Sequence, residues 1–429
     1  MKLLRNFLLP LFLLSIFSSC KKKENIAAGR KKIGVQLFTI EKQIAAIKNF
    51  EKNFSLEEKI SQLFLVNING SKNFHPHEEY HGRPLIPGSY IFFSYNLQNN
   101  AKGVIDFTDS ITNYCKENNY IPPFLCIDQE GGSVNRLKKL TSPLPSHQEV
   151  AKKLNPKEAY ELYSLQAGQM KALGFHMNLS PVAEASNEYN KDFLEERSFG
   201  SIQNTVTYSK KHIDAYQDKG ISCVIKHFPG NTNTDPHIGL PVFQIEKSCF
   251  EENFLFPFKS IFESKADAVL LSHAIIPLYD ENPADLSSFW IEEVLKKDLN
   301  FSGLTMSDDL LMGALSKNGF PPEKAIIMAL DSGIDLIMLS QTNFSSLLEI
   351  ILFKAKEDTA FLEKINKSFL RIIRYKIKIG LLSFVQNDDA SLSLKANYEL
   401  NDDDAFEKFS MYKNQGEKFY LEHFVNEKK

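Results

Sequence analysis

Eight short apolar runs recur along the chain, all but the fourth ending in a polar residue: Leu63–Asn69, Tyr90–Asn96, Phe124–Asp128, Met177–Val182, Cys223–His227, Ala268–His273, Leu304–Asp308 and Asp335–Ser340. Runs this short and this continuous fit strands of a parallel sheet covered on both faces. Stretches with helical character follow the last seven, at residues 103–118, 156–173, 201–219, 247–264, 288–299, 321–332 and 343–376. Eight strands alternating with helices predict an α/β fold, a (β/α)8 TIM-type barrel over residues 55–382. Ser55 with Glu58 forms a capping-box pattern for a helix that closes the barrel bottom, and Asn155-Pro156 reads as an N-cap followed by proline at the first helical position. No helical pattern separates the first two runs, so the first βα unit is expected to be irregular. Its connection, Ser71–Gly88, contains His75, His77 and His81.

The two ends of the chain read differently. Lys2 and Arg5 precede an apolar stretch, Phe7–Phe17, that is too short to span a bilayer and suits a signal-peptide core. It ends in Ser18-Ser19-Cys20, which resembles a bacterial lipobox. Residues 1–19 are therefore expected to be a lipoprotein signal, with a lipid on Cys20 anchoring the protein in the cell envelope. The other reading is an ordinary secretory signal with an incidental cysteine. Residues 20–54 read as a polar tether and residues 383–429 as a polar tail. Net charge is −3 and no long basic block appears, which argues against a nucleic-acid partner. The five cysteines form no CxxC pair, so neither a zinc knuckle nor a disulfide scaffold is indicated.

Barrels of this kind carry their chemistry at the C-terminal ends of the strands. There the sequence places Asp128-Gln129-Glu130-Gly131-Gly132, Lys226-His227-Phe228-Pro229-Gly230, Ser272-His273 and Ser307-Asp308-Asp309. Asp235-Pro236-His237 lies on the loop after the fifth strand, where Gly230 and Asn231–Thr234 are expected to give freedom of movement. A carboxylate together with a histidine supported by an aspartate suits displacement at a sugar anomeric carbon. Taken singly, Asp308 also reads as a helix cap or rim ion pair, and His237 as an ordinary loop histidine. His75, His77 and His81 have spacings a metal could use, but Pro76 prevents a helical pair of ligands and a solvated loop is the better reading. Ser272-His273 has no acid partner evident in sequence, which leaves little for a serine nucleophile.

Lys226-His227-Phe228-Pro229-Gly230 followed by Asp235-x-His237 and Leu240-Pro241 resembles the signature of glycoside hydrolase family 3, in particular its β-N-acetylglucosaminidase branch. Further segments are similar to the same family: Glu58–Phe64, Ile127–Arg136, Glu196–Gly200, Leu295–Met312 and Arg371–Leu382. The resemblance implies Asp308 as the nucleophile, His237 as general acid/base and Asp235 as its partner. It further implies that Asp128, Arg136, Arg197, Lys226 and His227 bind a terminal N-acetylglucosamine. The implied activity is retaining exo-hydrolysis of β-linked N-acetylglucosamine from peptidoglycan fragments or related oligosaccharides, with no metal or organic cofactor. The 47 residues after Leu382 are too few for the second domain of many family 3 β-glucosidases. Departures concern substrate range: the Asn231–Thr234 stretch is shortened, Pro236 stands where the family usually has serine, and Ser94–Asn96 and Ser133 lack the usual arginines. Two alternatives stay open, a family 3 enzyme using another β-amino sugar or acceptor, and a non-catalytic muropeptide-binding lipoprotein.

Overall fold

In the computed structural model, which describes residues 40–398 and 404–425, the eight apolar runs form a closed, all-parallel barrel. Its strands are β1 (Phe64–Asn67), β2 (Ser89–Phe92), β3 (Phe124–Ile127), β4 (Met177–Asn178), β5 (Ser222–Phe228), β6 (Ala268–Leu271), β7 (Leu304–Asp309) and β8 (Leu336–Leu339). Each strand pairs with its sequence neighbours, and closure comes from Phe64, Leu65 and Val66 of β1 against Ile337, Met338 and Leu339 of β8. Residues of β1, β2 and β3 are buried on both faces, as expected when helices cover the outside and side chains fill the inside. Cys20 and the expected signal segment lie outside the described residues. No helix among the described residues is long and apolar enough to cross a membrane.

Local chemistry sets where elements start and stop. Ser55 accepts a hydrogen bond from the Glu58 amide at 3.2 Å, and Glu58 accepts one from the Ser55 amide at 2.8 Å, which starts the helix Leu56–Ser61 beneath the barrel. Asn155 and Glu158 form the same reciprocal cap on Pro156–Ala172. The run Met177–Val182 pairs as a strand only over its first two residues. Pro181 offers no amide to the ladder, and Asn178 instead uses its side chain, accepting from the Gln129 amide and donating to the Gln129 carbonyl, both at 3.0 Å. The long stretch 343–376 is two helices, Ser345–Glu357 and Thr359–Lys378. Asp358 separates them and caps the second by accepting from the Ala360 and Phe361 amides.

The β1–β2 connection contains no helix and carries a short antiparallel ribbon, Glu79–Tyr80 with Arg83–Pro84. Its buried Glu78 accepts from the Ser345 amide at 3.0 Å, placing an anion at the start of that helix. On the barrel floor, the fully buried Lys376 donates to Gln62 Oε1 at 2.7 Å and to the Pro122 carbonyl at 2.8 Å. Burial pushes its ammonium down to about 7. Beyond the barrel, β9 (Leu382–Gln386) and β10 (Leu392–Ala396) form a hairpin, and the helix Ala405–Tyr420 lies on the helix Pro156–Ala172. That approach needs glycine: a Cβ on Gly168 would meet the Tyr412 ring at 2.7 Å, and one on Gly416 would meet Ser142 Oγ at 2.2 Å.

Candidate active site

The C-terminal strand ends gather two groups of charged side chains. In the first, Lys226 on β5 reaches both Asp128 and Glu130, each at 2.7 Å. Glu130 also holds Arg197 through two parallel bonds of 2.9 Å. Burial works against the charge on Glu130, yet Lys226 and Arg197 together hold its carboxyl well below the usual range. Lys226 is likewise held charged: burial opposes its charge, but Asp128 and then Glu130 outweigh it. Two carboxylates and two cations thus form a neutral set, with Glu130 and Lys226 buried and Asp128 and Arg197 partly so. The turn Glu130-Gly131-Gly132 requires its glycines, since both have positive φ. A Cβ on Gly131 would stand 2.2 Å from the Pro145 carbonyl oxygen. Arg136 lies with its guanidinium 5.7 Å from the Phe93 ring centroid, and its Nε has no partner among the described residues.

In the second group, buried Glu184 accepts from His227 Nδ1 at 2.7 Å and from the Asn231 amide at 2.6 Å. His227 therefore keeps a fixed ring orientation, with Nε2 as the nitrogen a ligand can use. The same contacts anchor the start of the Asn231–Thr234 run. Asn233 ties it further, accepting from the Asp192 amide at 2.9 Å and donating to the Glu188 carbonyl at 3.0 Å. The stretch expected to move is hydrogen-bonded at Asn231 and Asn233 to the segment after β4. Asn233 and Thr234 are nevertheless exposed, and at the tip the His237 side chain is 70% exposed. Asp235 accepts from both the amide and Nδ1 of His237, at 2.9 and 2.8 Å, and the amide bond leads in lowering its carboxyl below the usual value.

Asp308 is the penultimate residue of β7, buried, with Oδ1 accepting from the Asp309 amide at 2.8 Å. Sequence reading left out Glu130 as a site residue, and Glu184 and Asp285 altogether. The acid partner of His273 is Asp285, twelve residues on, at 2.9 Å. Ser272 donates to the Gly230 carbonyl at 2.9 Å, so no serine triad forms. His81 packs on Tyr80 in the ribbon, and among the described residues no cluster of three or more His, Cys, Asp or Glu side chains is placed to hold a metal ion.

The model for the glycosyl hydrolase family 3 N-terminal domain matches residues 55–375, nearly all of the barrel. The chain belongs to glycoside hydrolase family 3. A β-hexosaminidase of Haemophilus influenzae is 30% identical to this family 3 chain over 283 residues, 64% of this chain and 78% of its own length. One from Idiomarina loihiensis is 30% identical over 225 residues, covering 51% and 67%. Among solved structures, a family 3 β-N-acetylglucosaminidase from a Paenibacillus species is 25% identical with a TM-score of 0.69, covering 84% of this chain and 68% of its own. This family 3 barrel is accordingly that of a glycoside hydrolase.

Proposed function

We propose that the protein is a retaining exo-β-N-acetylglucosaminidase acting on terminal β-linked N-acetylglucosamine of peptidoglycan fragments, anchored to the cell envelope through Cys20. The observation that carries this reading is the Asp235–His237 pair. Its Nδ1–H is committed to a carboxylate, so Nε2 is left for proton transfer on the exposed loop that follows β5. Asp308 attacks C1 as the glycosidic C1–O bond breaks, and the proton on His237 Nε2 passes to the departing oxygen. A water then gives its proton to His237 and its hydroxyl to C1, releasing Asp308; two inversions retain the configuration. Asp128, Lys226, Arg197, Arg136 and His227 supply acceptors and donors for sugar hydroxyls and the acetamido group.

The test compares an aryl β-N-acetylglucosaminide with the aryl β-glucoside, using protein lacking residues 1–20. Release from the former only, lost in Asp308→Ala, is the expected result. A folded protein inactive on both, or Asp308→Ala turning over at the wild-type rate, would overturn the reading.

A further inference from the structure

A buried histidine for which sequence reading finds no acid partner contacts the backbone next to Asp308. His273, just past β6, is fully buried. Its Nδ1 lies 2.9 Å from Asp285 Oδ2 and its Nε2 lies 3.1 Å from the backbone carbonyl of Asp309. A carbonyl oxygen only accepts, so Nε2 carries a proton, and the Asp285 pair accommodates a second one on Nδ1. Burial opposes charge on the ring, but Asp285 beside it and Asp308 nearby outweigh this and raise it to about 9. The residue it grips is the one whose amide donates to Asp308 Oδ1. The Asp309 side chain is occupied elsewhere, accepting from the Leu311 and Ser340 amides, each at 3.1 Å. Asp285 is itself fixed, its amide donating to the Ser272 carbonyl at 3.2 Å.

We infer that His273, held by Asp285, is a positioning residue for the nucleophile: by fixing the Asp309 carbonyl it sets the amide that aims the Asp308 carboxylate. The inference rests on Asp308 being the nucleophile. Two substitutions of similar polarity separate the two edges of the ring. The amide nitrogen of His273→Asn falls where Nδ1 was and keeps the Asp285 contact alone. That of His273→Gln falls where Nε2 was and keeps the bond to Asp309.

With an aryl β-N-acetylglucosaminide, His273→Asn is expected to lose about 100-fold in kcat, the scale of a small misplacement of a reacting group. His273→Gln should stay within about tenfold, and KM should change little in either. Equal losses in the two, or a greater loss in Gln, would overturn the inference. A second readout needs no turnover: the Asp308 carboxylate carbon resonance should move in the Asn variant and stay in place in Gln. Identical behaviour of that resonance in both variants overturns the positioning role even if the wild type cleaves no glycoside.

Discussion

Glu130→Gln is the substitution that most directly probes the charged floor of the site. Glu130 side-chain exposure is 2%, that of Lys226 5% and that of Arg197 19%, so little solvent is available to compensate. Glutamine offers one oxygen where the carboxylate serves three bonds, and its amide N–H must face a cation. The set Asp128, Glu130, Lys226 and Arg197 goes from neutral to one net positive charge. Breaking such a buried arrangement from one side costs about 3–5 kcal/mol. At about 2 °C per kcal/mol for a domain of this size, Tm should fall by roughly 6–10 °C at pH 7. Because the Glu130 carboxyl is held below its unfolded value, its contribution is complete above about pH 4.3 and disappears as pH falls below that. Calorimetric melting curves of wild type and variant should therefore converge in acid. Adding Arg197→Met removes the excess charge and should return part of the loss. Melting within about 1 °C of wild type at pH 7 would refute the reasoning, since it would place the variant among unremarkable surface changes.

On the barrel floor, Lys376 is also lowered, but for an ammonium that disfavours the charged form. Its folded value of about 7 lies below the unfolded one, so its charge costs stability fully below pH 7, and the cost fades as pH rises toward 10. Wild type should gain Tm over that interval relative to Lys376→Met, and parallel melting profiles would refute the burial argument. At the chain's other end, Cys20→Ser should abolish incorporation of labelled fatty acid into the expressed protein; undiminished incorporation would remove the anchor.

The sequence makes the barrel legible because parallel strands buried on both faces leave unbroken apolar runs, and the polar residue ending all but the fourth marks the rim. Asp128, Lys226 and Asp308 can be placed at strand ends for that reason. What escapes is pairing at a distance. Glu184 lies in the otherwise apolar Pro181–Ala185 stretch, and a carboxylate there demands a partner. Nothing local says that the partners are His227 and Asn231. Asp285 has no periodic relation to His273; their meeting depends on how the β6 loop folds back. The division of the last helical stretch could have been read from Asp358-Thr359, an N-cap pattern inside a continuous apolar periodicity.

Closure of the barrel through β1 and β8 also sets a timetable for synthesis. The paired strands are roughly 270 residues apart in sequence, so at translation rates of about 5–20 residues per second β1 waits roughly 14–55 s for its second neighbour. Throughout that interval the nascent sheet has an open edge on β1 and another on the most recently emerged strand. Until β8 is available the barrel cannot close, and an unclosed, apolar sheet is the form most exposed to mispairing with other chains.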